Sequence, residues 1–389
     1  KISARTSSNS GSTFNTEITL SSADDAELYD ELEITTDGDG NFYVIWPRED
    51  TSEDDDIVVS RSPNSGTSWN SAVEVDGIDG GGVRGSASIS ATSDKLVVVW
   101  TDDYDGDGTS SDLDIYSSES SNDGSSWTTA KEIGSDQYYE ADSSAVALAY
   151  SNSYLYALYI DGGDNDPDGD TNGNDARNTD GDVFFRRSSN DGEDWDNVVV
   201  ISNEDTDGHS YETFDYASYF YSYYRAAISA SGNDVYAAWC NYDRESGQYQ
   251  IKFSSSSNSG TSWSEPIILS SDDTNANSYA PAITSSGDEV YVAWQERYDT
   301  GTTFNYNIVT KTSDNNGDSW DSAVTVTSND GTNYIPELAY SNNIVHLTWH
   351  AFSREGDSKY TIEYANSDDR GQSWTRTVLK TPDVSTDWA

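Results

Sequence analysis

The sequence of 389 residues is poor in residues that cross-link a chain or anchor it in a membrane. Its one cysteine, Cys240, excludes a disulfide within the chain. No apolar run approaches the roughly 18 residues that a membrane-spanning helix needs. Lys and Arg total 20 against 70 Asp and Glu, which gives a net charge of −50. Because a field this negative repels phosphate backbones, nucleic acid is excluded as a partner.

Methionine is also absent, including at position 1. We therefore expect Lys1 not to be a translation start, and the chain to be processed or part of a longer one, with no signal peptide to examine. Asp outnumbers Glu by 50 to 20, a balance typical of proteins in strong salt, where charge repulsion is screened. Calcium binding in ordinary salt is an alternative explanation that is compatible with the first. The composition favours an acidic, halophilic protein that is secreted or attached to a cell surface.

Aromatic residues are plentiful at 12%, which excludes a disordered acidic chain. Many of them end a short pattern, Ser-x-Asn/Asp-x-Gly-x-x-aromatic, that occurs seven times with successive glycines 54 to 68 residues apart. The seven copies are Ser7, Asn9, Gly11, Phe14; Ser62, Asn64, Gly66, Trp69; Ser120, Asn122, Gly124, Trp127; Ser188, Asn190, Gly192, Trp195; Ser256, Asn258, Gly260, Trp263; Ser313, Asn315, Gly317, Trp320; and Ser367, Asp369, Gly371, Trp374.

Each copy lies within a larger unit of four short runs of β-branched and aromatic residues separated by turn residues. Such a unit predicts a four-stranded antiparallel meander, whose strands we call A to D, with the repeated pattern between C and D. Strand B ends in an aromatic residue: Trp46, Trp100, Tyr159, Trp239, Trp294 and Trp349. Units of this kind in series predict an all-β fold, a β-propeller in a single domain. The predicted blades are 31–76, 86–134, 144–202, 225–270, 281–328 and 336–381, with a half blade at 1–22.

The repeated pattern has a structural explanation. Gly supplies a positive φ for the C-to-D turn, Asn or Asp bonds to the backbone of the turn, and the aromatic ring packs between sheets. In these residues the sequence resembles the Asp-box (BNR) repeat family, whose best-known members are the sialidases. The resemblance implies a sialidase-like propeller in which the boxes are structural and face away from the active site. Asn replaces Asp in six of the seven boxes, which keeps the turn chemistry.

The half blade contains only strands C and D. Three arrangements are compatible with it. In the first arrangement, residues outside the segment complete a seventh blade. In the second, the six full units close alone. In the third, another chain donates the missing strands by β-augmentation. The last would make the protein an assembly module, with other copies of itself as partners.

Two B-to-C loops predict calcium sites, because oxygen ligands at alternate positions, a Gly and a closing carboxylate suit Ca²⁺. The ligands of the first loop are Asp103, Asp105, Asp107 and Asp114, and those of the second are Asp164, Asp166, Asp168, Asp170 and Asp175. Asp in place of Glu at the closing position is expected to weaken both sites. A solvated acidic loop is the alternative.

The D-to-A loop from residue 203 to 224 is rich in tyrosine. Its candidate ligand residues are Tyr211, Tyr216, Tyr219 and Tyr221, followed by Arg225 at the start of strand A. These rings suit a sugar or a protein partner, and a lid packed on the propeller is the alternative. The sialidase resemblance implies an arginine cluster and an Arg-Ile-Pro motif. The nearest match, Tyr224, Arg225, Ala226, Ala227, lacks Ile and Pro. We therefore expect a calcium-stabilised binding, adhesion or assembly module that recognises a glycan or a surface protein, with a sialidase-like glycoside hydrolase as the alternative.

Overall fold

The computed structural model describes residues 2–21, 32–49, 55–75, 86–102, 114–134, 143–161, 182–202, 208–210, 225–243, 246–270, 276–299, 304–327, 332–353 and 359–380. Strands and turns make up these residues, so the all-β prediction is confirmed for them. Within these ranges, no helix has the length and apolarity needed to cross a membrane.

The described residues form two compact units. The first unit begins with a two-stranded antiparallel half sheet, β1 (Ser3–Ala4) and β2 (Ile18–Thr19). Three four-stranded antiparallel sheets follow. Sheet 1 contains β3 (Glu33–Thr36), β4 (Phe42–Glu49), β5 (Asp55–Ser62) and β6 (Val73–Glu74). Sheet 2 contains β7 (Ala87–Ala91), β8 (Leu96–Asp102), β9 (Asp114–Ser120) and β10 (Lys131–Glu132). Sheet 3 contains β11 (Ser143–Ser151), β12 (Tyr154–Asp161), β13 (Asp182–Ser188) and β14 (Val199–Val200).

The second unit contains sheets 4 to 6, together with Asn9–Ser12 of the first turn. Next to sheet 4 lies the short strand β15 (Gly208–Ser210). Sheet 4 itself contains β16 (Ala226–Ser231), β17 (Asp234–Asp243), β18 (Gln248–Ser256) and β19 (Ile267–Ile268). Sheet 5 contains β20 (Ala276–Ser286), β21 (Glu289–Asp299), β22 (Phe304–Ser313) and β23 (Val324–Thr325). Sheet 6 contains β24 (Thr332–Ser341), β25 (Ile344–Ser353), β26 (Lys359–Ser367) and β27 (Thr375–Lys380). A single parallel pair, Tyr306 with Thr332, joins sheets 5 and 6.

Strand B is an inner strand of each of the six four-stranded sheets described. It is flanked by A and C, and in β8 all seven residues are buried. The six aromatic residues that end the B strands are at most 1% exposed. Each described core cluster joins one sheet to the next: Trp100 of sheet 2 packs with Ile45 of sheet 1, and Trp294 of sheet 5 packs with Tyr236 of sheet 4. Burial of such large rings is the main stabilising contribution to a sheet-on-sheet core.

Candidate functional site

Each repeated turn lies at one end of its own sheet, between strands C and D. In the second to seventh turns, the Gly N–H donates to the Ser Oγ at 2.8–2.9 Å. The Asn or Asp Oδ1 accepts a backbone N–H four residues later at 2.8–3.0 Å. The glycines have φ between 76° and 89°. Because these polar groups bond within the turn, this geometry suits a structural role.

The opposite end of sheets 4 to 6 carries side chains of a different kind. Arg225 immediately precedes β16, and its guanidinium contacts the carboxylate of Glu337 on β24 in an ion pair. The Arg225 side chain is 18% exposed and the Glu337 side chain 56% exposed, so a ligand in solvent can reach the carboxylate. Strand β20 contacts both β16 and β24. Because β20 lies between these two strands, the ion pair can join Arg225 and Glu337 although they are 112 positions apart in the sequence.

Tyrosine rings are linked to the backbone of Arg225 through Cys240. The backbone O of Arg225 accepts the N–H of Cys240 at 3.2 Å, and Cys240 packs with Tyr279 and Tyr249. The ring centroids of Tyr249 and Tyr279 are 5.0 Å apart, and those of Tyr242 and Tyr249 are 4.9 Å apart. Burial raises the pKa of the Tyr279 phenol, which therefore keeps its proton at neutral pH. A second ring pair, Tyr306 and Tyr334, has centroids 5.3 Å apart.

Two strained bulges shape this end of the A strands. Ala280 and Ile335 have φ of 49° and 50°, and each precedes a proline. The register of β20 shifts between Tyr279 and Ala282, and that of β24 shifts between Tyr334 and Glu337. A left-handed β-branched residue is a costly outlier, and such strain occurs mostly at functional sites. The second bulge re-aims the strand just before Glu337, as bulges next to active sites do.

A buried amide holds the second bulge in place. Gln295, fully buried on β21, accepts the N–H of Ile335 through its Oε1 at 3.1 Å. It lies directly opposite Tyr279 in the strand register. The Nε2 of Gln295 has no hydrogen-bond partner. We call Arg225, Tyr249, Tyr279, Gln295 and Glu337 the Arg–Tyr–Glu cluster.

Among the residues predicted as ligand sites, Arg225 lies in this cluster. Tyr211, Tyr216, Tyr219 and Tyr221 lie outside the described residues. So do eight of the nine predicted calcium ligands: Asp103, Asp105, Asp107, Asp164, Asp166, Asp168, Asp170 and Asp175. The ninth, Asp114, is the exposed first residue of β9. Among the described residues, no group of three or more His, Cys, Asp or Glu side chains could hold a metal ion.

Sequence reasoning missed Tyr249, Tyr279, Gln295 and Glu337. A signal was present in the repeated Tyr-x-Pro triplets, Tyr279 to Pro281 and Tyr334 to Pro336, which stand at equivalent points of two units. In the structure these triplets make the bulges, so β20 and β24 begin at Ala276 and Thr332, upstream of the unit starts at 281 and 336.

No protein-family model matches the chain, and no characterised protein resembles it significantly in sequence. Solved structures do resemble it. A polysaccharide lyase, an ulvan lyase, matches with a TM-score of 0.59 and 11% identity over 90% of this chain and 83% of its own. An α-L-arabinofuranosidase from Fusarium graminearum matches with a TM-score of 0.56 and 12% identity over 87% and 92%. The Hadza microbial sialidase Hz136 matches with a TM-score of 0.50 and 13% identity over 85% of this chain, which spans 64% of the sialidase. At this identity the likeness concerns the fold alone, and it indicates a sialidase-like fold built from four-stranded antiparallel sheets.

Proposed function

We propose that this protein binds and cleaves a glycan at the Arg–Tyr–Glu cluster. The observation that carries the proposal is the ion pair between Arg225 and the half-exposed Glu337. The tilted rings of Tyr249 and Tyr279 and the buried amide of Gln295 lie on the strands that adjoin the pair. Similar structures include a sialidase, an arabinofuranosidase and an ulvan lyase, all named for acting on glycans. They support a glycan-acting enzyme better than the binding or assembly module that the sequence favours first.

The residues of the cluster have separable roles in this proposal. Tyrosine rings offer flat apolar faces to the C–H faces of sugars, and their hydroxyls bond to sugar oxygens. The Arg225 guanidinium binds an anionic sugar substituent in a forked geometry. That substituent competes with Glu337 for Arg225, and this competition releases the Glu337 carboxylate from the ion pair. The released Glu337 then acts as the general acid or base of glycosidic bond cleavage.

The finer predictions from the sequence are part of the same proposal. We propose that the repeated turns are Asp-boxes and that the six four-stranded sheets are blades of a β-propeller, with the half sheet as part of a further blade. The setting is extracellular or at a cell surface in high salt. Calcium held by the two aspartate-rich loops stabilises the propeller. The repeated turn geometry and the excess of Asp over Glu support these assignments.

The test is a screen of polysaccharides with the protein in molar salt and calcium. Uronic and sulfated polysaccharides, arabinan and sialosides are incubated with the protein. New reducing ends report hydrolysis, and new ultraviolet absorbance from a C=C bond reports lyase chemistry. Glu337→Gln keeps the size of the side chain and removes its ability to exchange a proton. Cleavage is expected to fall by about 10²- to 10⁴-fold, the usual contribution of a general acid or base.

A matched control is Glu289→Gln. Glu289 also pairs with an arginine, with its Oε1 2.8 Å from Arg370 Nε, but it begins β21 at the end of sheet 5 where the repeated turns lie. The control is expected to cleave at the rate of the unmodified protein. If Glu337→Gln and Glu289→Gln behave alike, Glu337 is not catalytic. Glycan binding without cleavage by the unmodified protein would assign it to the binding modules instead.

A further inference from the structure

The tyrosine pair of the Arg–Tyr–Glu cluster has a counterpart one sheet further along the chain. Tyr249 lies opposite Tyr242 in the register of β17 and β18, and Tyr306 lies opposite Arg297 in the register of β21 and β22. Tyr242 and Arg297 each stand three residues after the tryptophan of strand B. Tyr249 and Tyr306 therefore occupy the same place in strand C of sheets 4 and 5.

The rings that these two tyrosines contact are equivalent as well. Tyr279 and Tyr334 each precede the left-handed residue of a bulge, at the same point of strand A in sheets 5 and 6. The ring centroids of Tyr249 and Tyr279 are 5.0 Å apart with an interplanar angle of 38°. Those of Tyr306 and Tyr334 are 5.3 Å apart with an angle of 43°. The same tyrosine pair thus joins sheet 4 to sheet 5 and sheet 5 to sheet 6.

The second tyrosine pair has an arginine on the same face of its sheet. Arg297 is directly opposite Tyr306, and residues paired in this way have Cβ atoms about 5 Å apart. Arg297 also stands two residues after Gln295, whose side chain bonds to the N–H of Ile335 in sheet 6. Because alternate residues of a strand project to the same face, Arg297 is directed toward sheet 6, as Gln295 is.

This arginine departs from the repeat. The equivalent positions in sheets 4 and 6 hold Tyr242 and Phe352, so packing of the repeat does not require a cation here. Arg297 is partly exposed. Burial raises the pKa of the Tyr279 phenol, and the positive charge of Arg297 opposes part of that rise. The guanidinium therefore lies within electrostatic reach of the first tyrosine pair while it faces the second.

We propose that Arg297, Tyr306 and Tyr334 form a second sugar-binding site, which takes an anionic sugar of the same glycan chain that the Arg–Tyr–Glu cluster binds. The inference rests on the proposed function, because the cluster supplies the first site. Arg297 binds a carboxylate or sulfate group through its forked N–H donors. The partly exposed rings of Tyr306 and Tyr334 pack on the C–H faces of the sugars.

The spacing of the two sites defines the class of substrate. Packed sheets lie about 10 Å apart, a distance comparable with the length of a disaccharide. Arg225 at the first site and Arg297 at the second then bind anionic groups on two sugars of one chain. The substrate is a polysaccharide with recurring anionic groups, rather than a neutral glycan or one with a single terminal acid.

The test measures how affinity depends on the length and charge of the glycan. The Glu337→Gln variant prevents cleavage during the measurement, and calorimetry at one constant salt concentration reports binding. The probes are di- and hexasaccharides of polygalacturonic acid, which carries carboxylates, and of κ-carrageenan, which carries sulfates. In the series that fits, the hexasaccharide is expected to bind at least tenfold more tightly than the disaccharide. Adding Arg297→Gln is expected to remove that gain, a loss typical of a charge-assisted hydrogen bond.

Two comparisons show whether Arg297 acts through charge. Arg297→Gln is expected not to change the affinity for a carboxyl-reduced or desulfated hexasaccharide, whereas a structural role of Arg297 would lower both affinities. The matched control is Arg187→Gln. The Arg187 guanidinium lies 5.3 Å from the ring centroid of Tyr154, but Arg187 immediately precedes the fourth repeated turn, so this variant is expected to keep the gain with length. Arg297→Lys replaces Arg297→Gln in the same comparison if the latter does not fold.

The binding measurement distinguishes this inference from the proposed function. If Arg297→Gln keeps the gain with length while Glu337→Gln has lost cleavage, the second site is refuted and the proposed function stands. If Arg297→Gln removes the gain while Glu337→Gln and Glu289→Gln cleave alike, the second site stands and catalysis by Glu337 is refuted. Absence of binding in both series, or equal binding of charged and uncharged hexasaccharides, would refute the anionic class of substrate.

Discussion

The glycine of the sixth repeated turn gives the sharpest stability prediction. Gly317 has a φ of +87°, and a Cβ at this position would lie 2.5 Å from Cε1 and 2.6 Å from Cζ of Phe253 in sheet 4. Phe253 is 1% exposed and packs edge-on against Trp320 at a centroid distance of 4.9 Å. Gly317→Ala therefore imposes two costs, a left-handed conformation on a residue with a Cβ and the displacement of a buried ring.

The two costs can be estimated separately. The left-handed conformation costs roughly 1–2 kcal/mol for an L residue other than glycine. Forcing an extra methyl group into a packed core costs about 1–3 kcal/mol. The expected loss in the free energy of unfolding is then about 2–5 kcal/mol for Gly317→Ala. Gly287 is the matched control, because its φ is +58° and a Cβ there would meet nothing within 4 Å. Gly287→Ala carries the first cost alone.

Urea unfolding at constant salt, followed by circular dichroism, measures both variants. A shift in midpoint at constant slope reports the change in stability. Combining Gly317→Ala with Phe253→Leu is expected to recover part of the loss, because the smaller side chain leaves room for the new methyl group. If Gly317→Ala cost no more than Gly287→Ala, the contact between the turn and the neighbouring sheet would not be limiting, and the reasoning would fail.

Three further predictions concern the protonation of His346, the reactivity of the Cys240 thiol and calcium at the two aspartate-rich loops. Burial lowers the pKa of His346, so its contribution to stability is present above the unfolded pKa of about 6.5 and is lost as the pH falls toward the folded pKa. His346→Gln is expected to flatten this part of the pH dependence of the melting temperature. The thiol of Cys240 is fully buried with a raised pKa, so a thiol reagent is expected to label it only in urea, with one equivalent. If calcium binds the predicted loops, a chelator is expected to lower the melting temperature at constant high salt, and the combined variant Asp168→Asn, Asp170→Asn is expected to reduce that effect.

The sheets could be predicted from the sequence because their determinants are local. A strand-B aromatic such as Trp294 and a turn glycine such as Gly317 each act within a few residues, and their repetition makes the pattern unmistakable. The Arg–Tyr–Glu cluster could not be found in this way. Arg225 and Glu337 meet only because two A strands lie on either side of β20.

The two ends of the sheets hold left-handed backbone in different ways. At the repeated turns, a serine such as Ser313 both accepts the turn N–H and donates to Asn315, each at 2.9 Å. At the other end, Ile335 is held in a left-handed conformation by Gln295, whose Nε2 is buried without a partner. An unmade bond of this kind costs about 1–3 kcal/mol. A ligand oxygen that accepted a hydrogen bond from Nε2 would recover that cost on binding. Because a left-handed β-branched residue persists only where the surrounding structure enforces it, Ile335, two residues before Glu337, is a physical reason to place function at this end of the sheets.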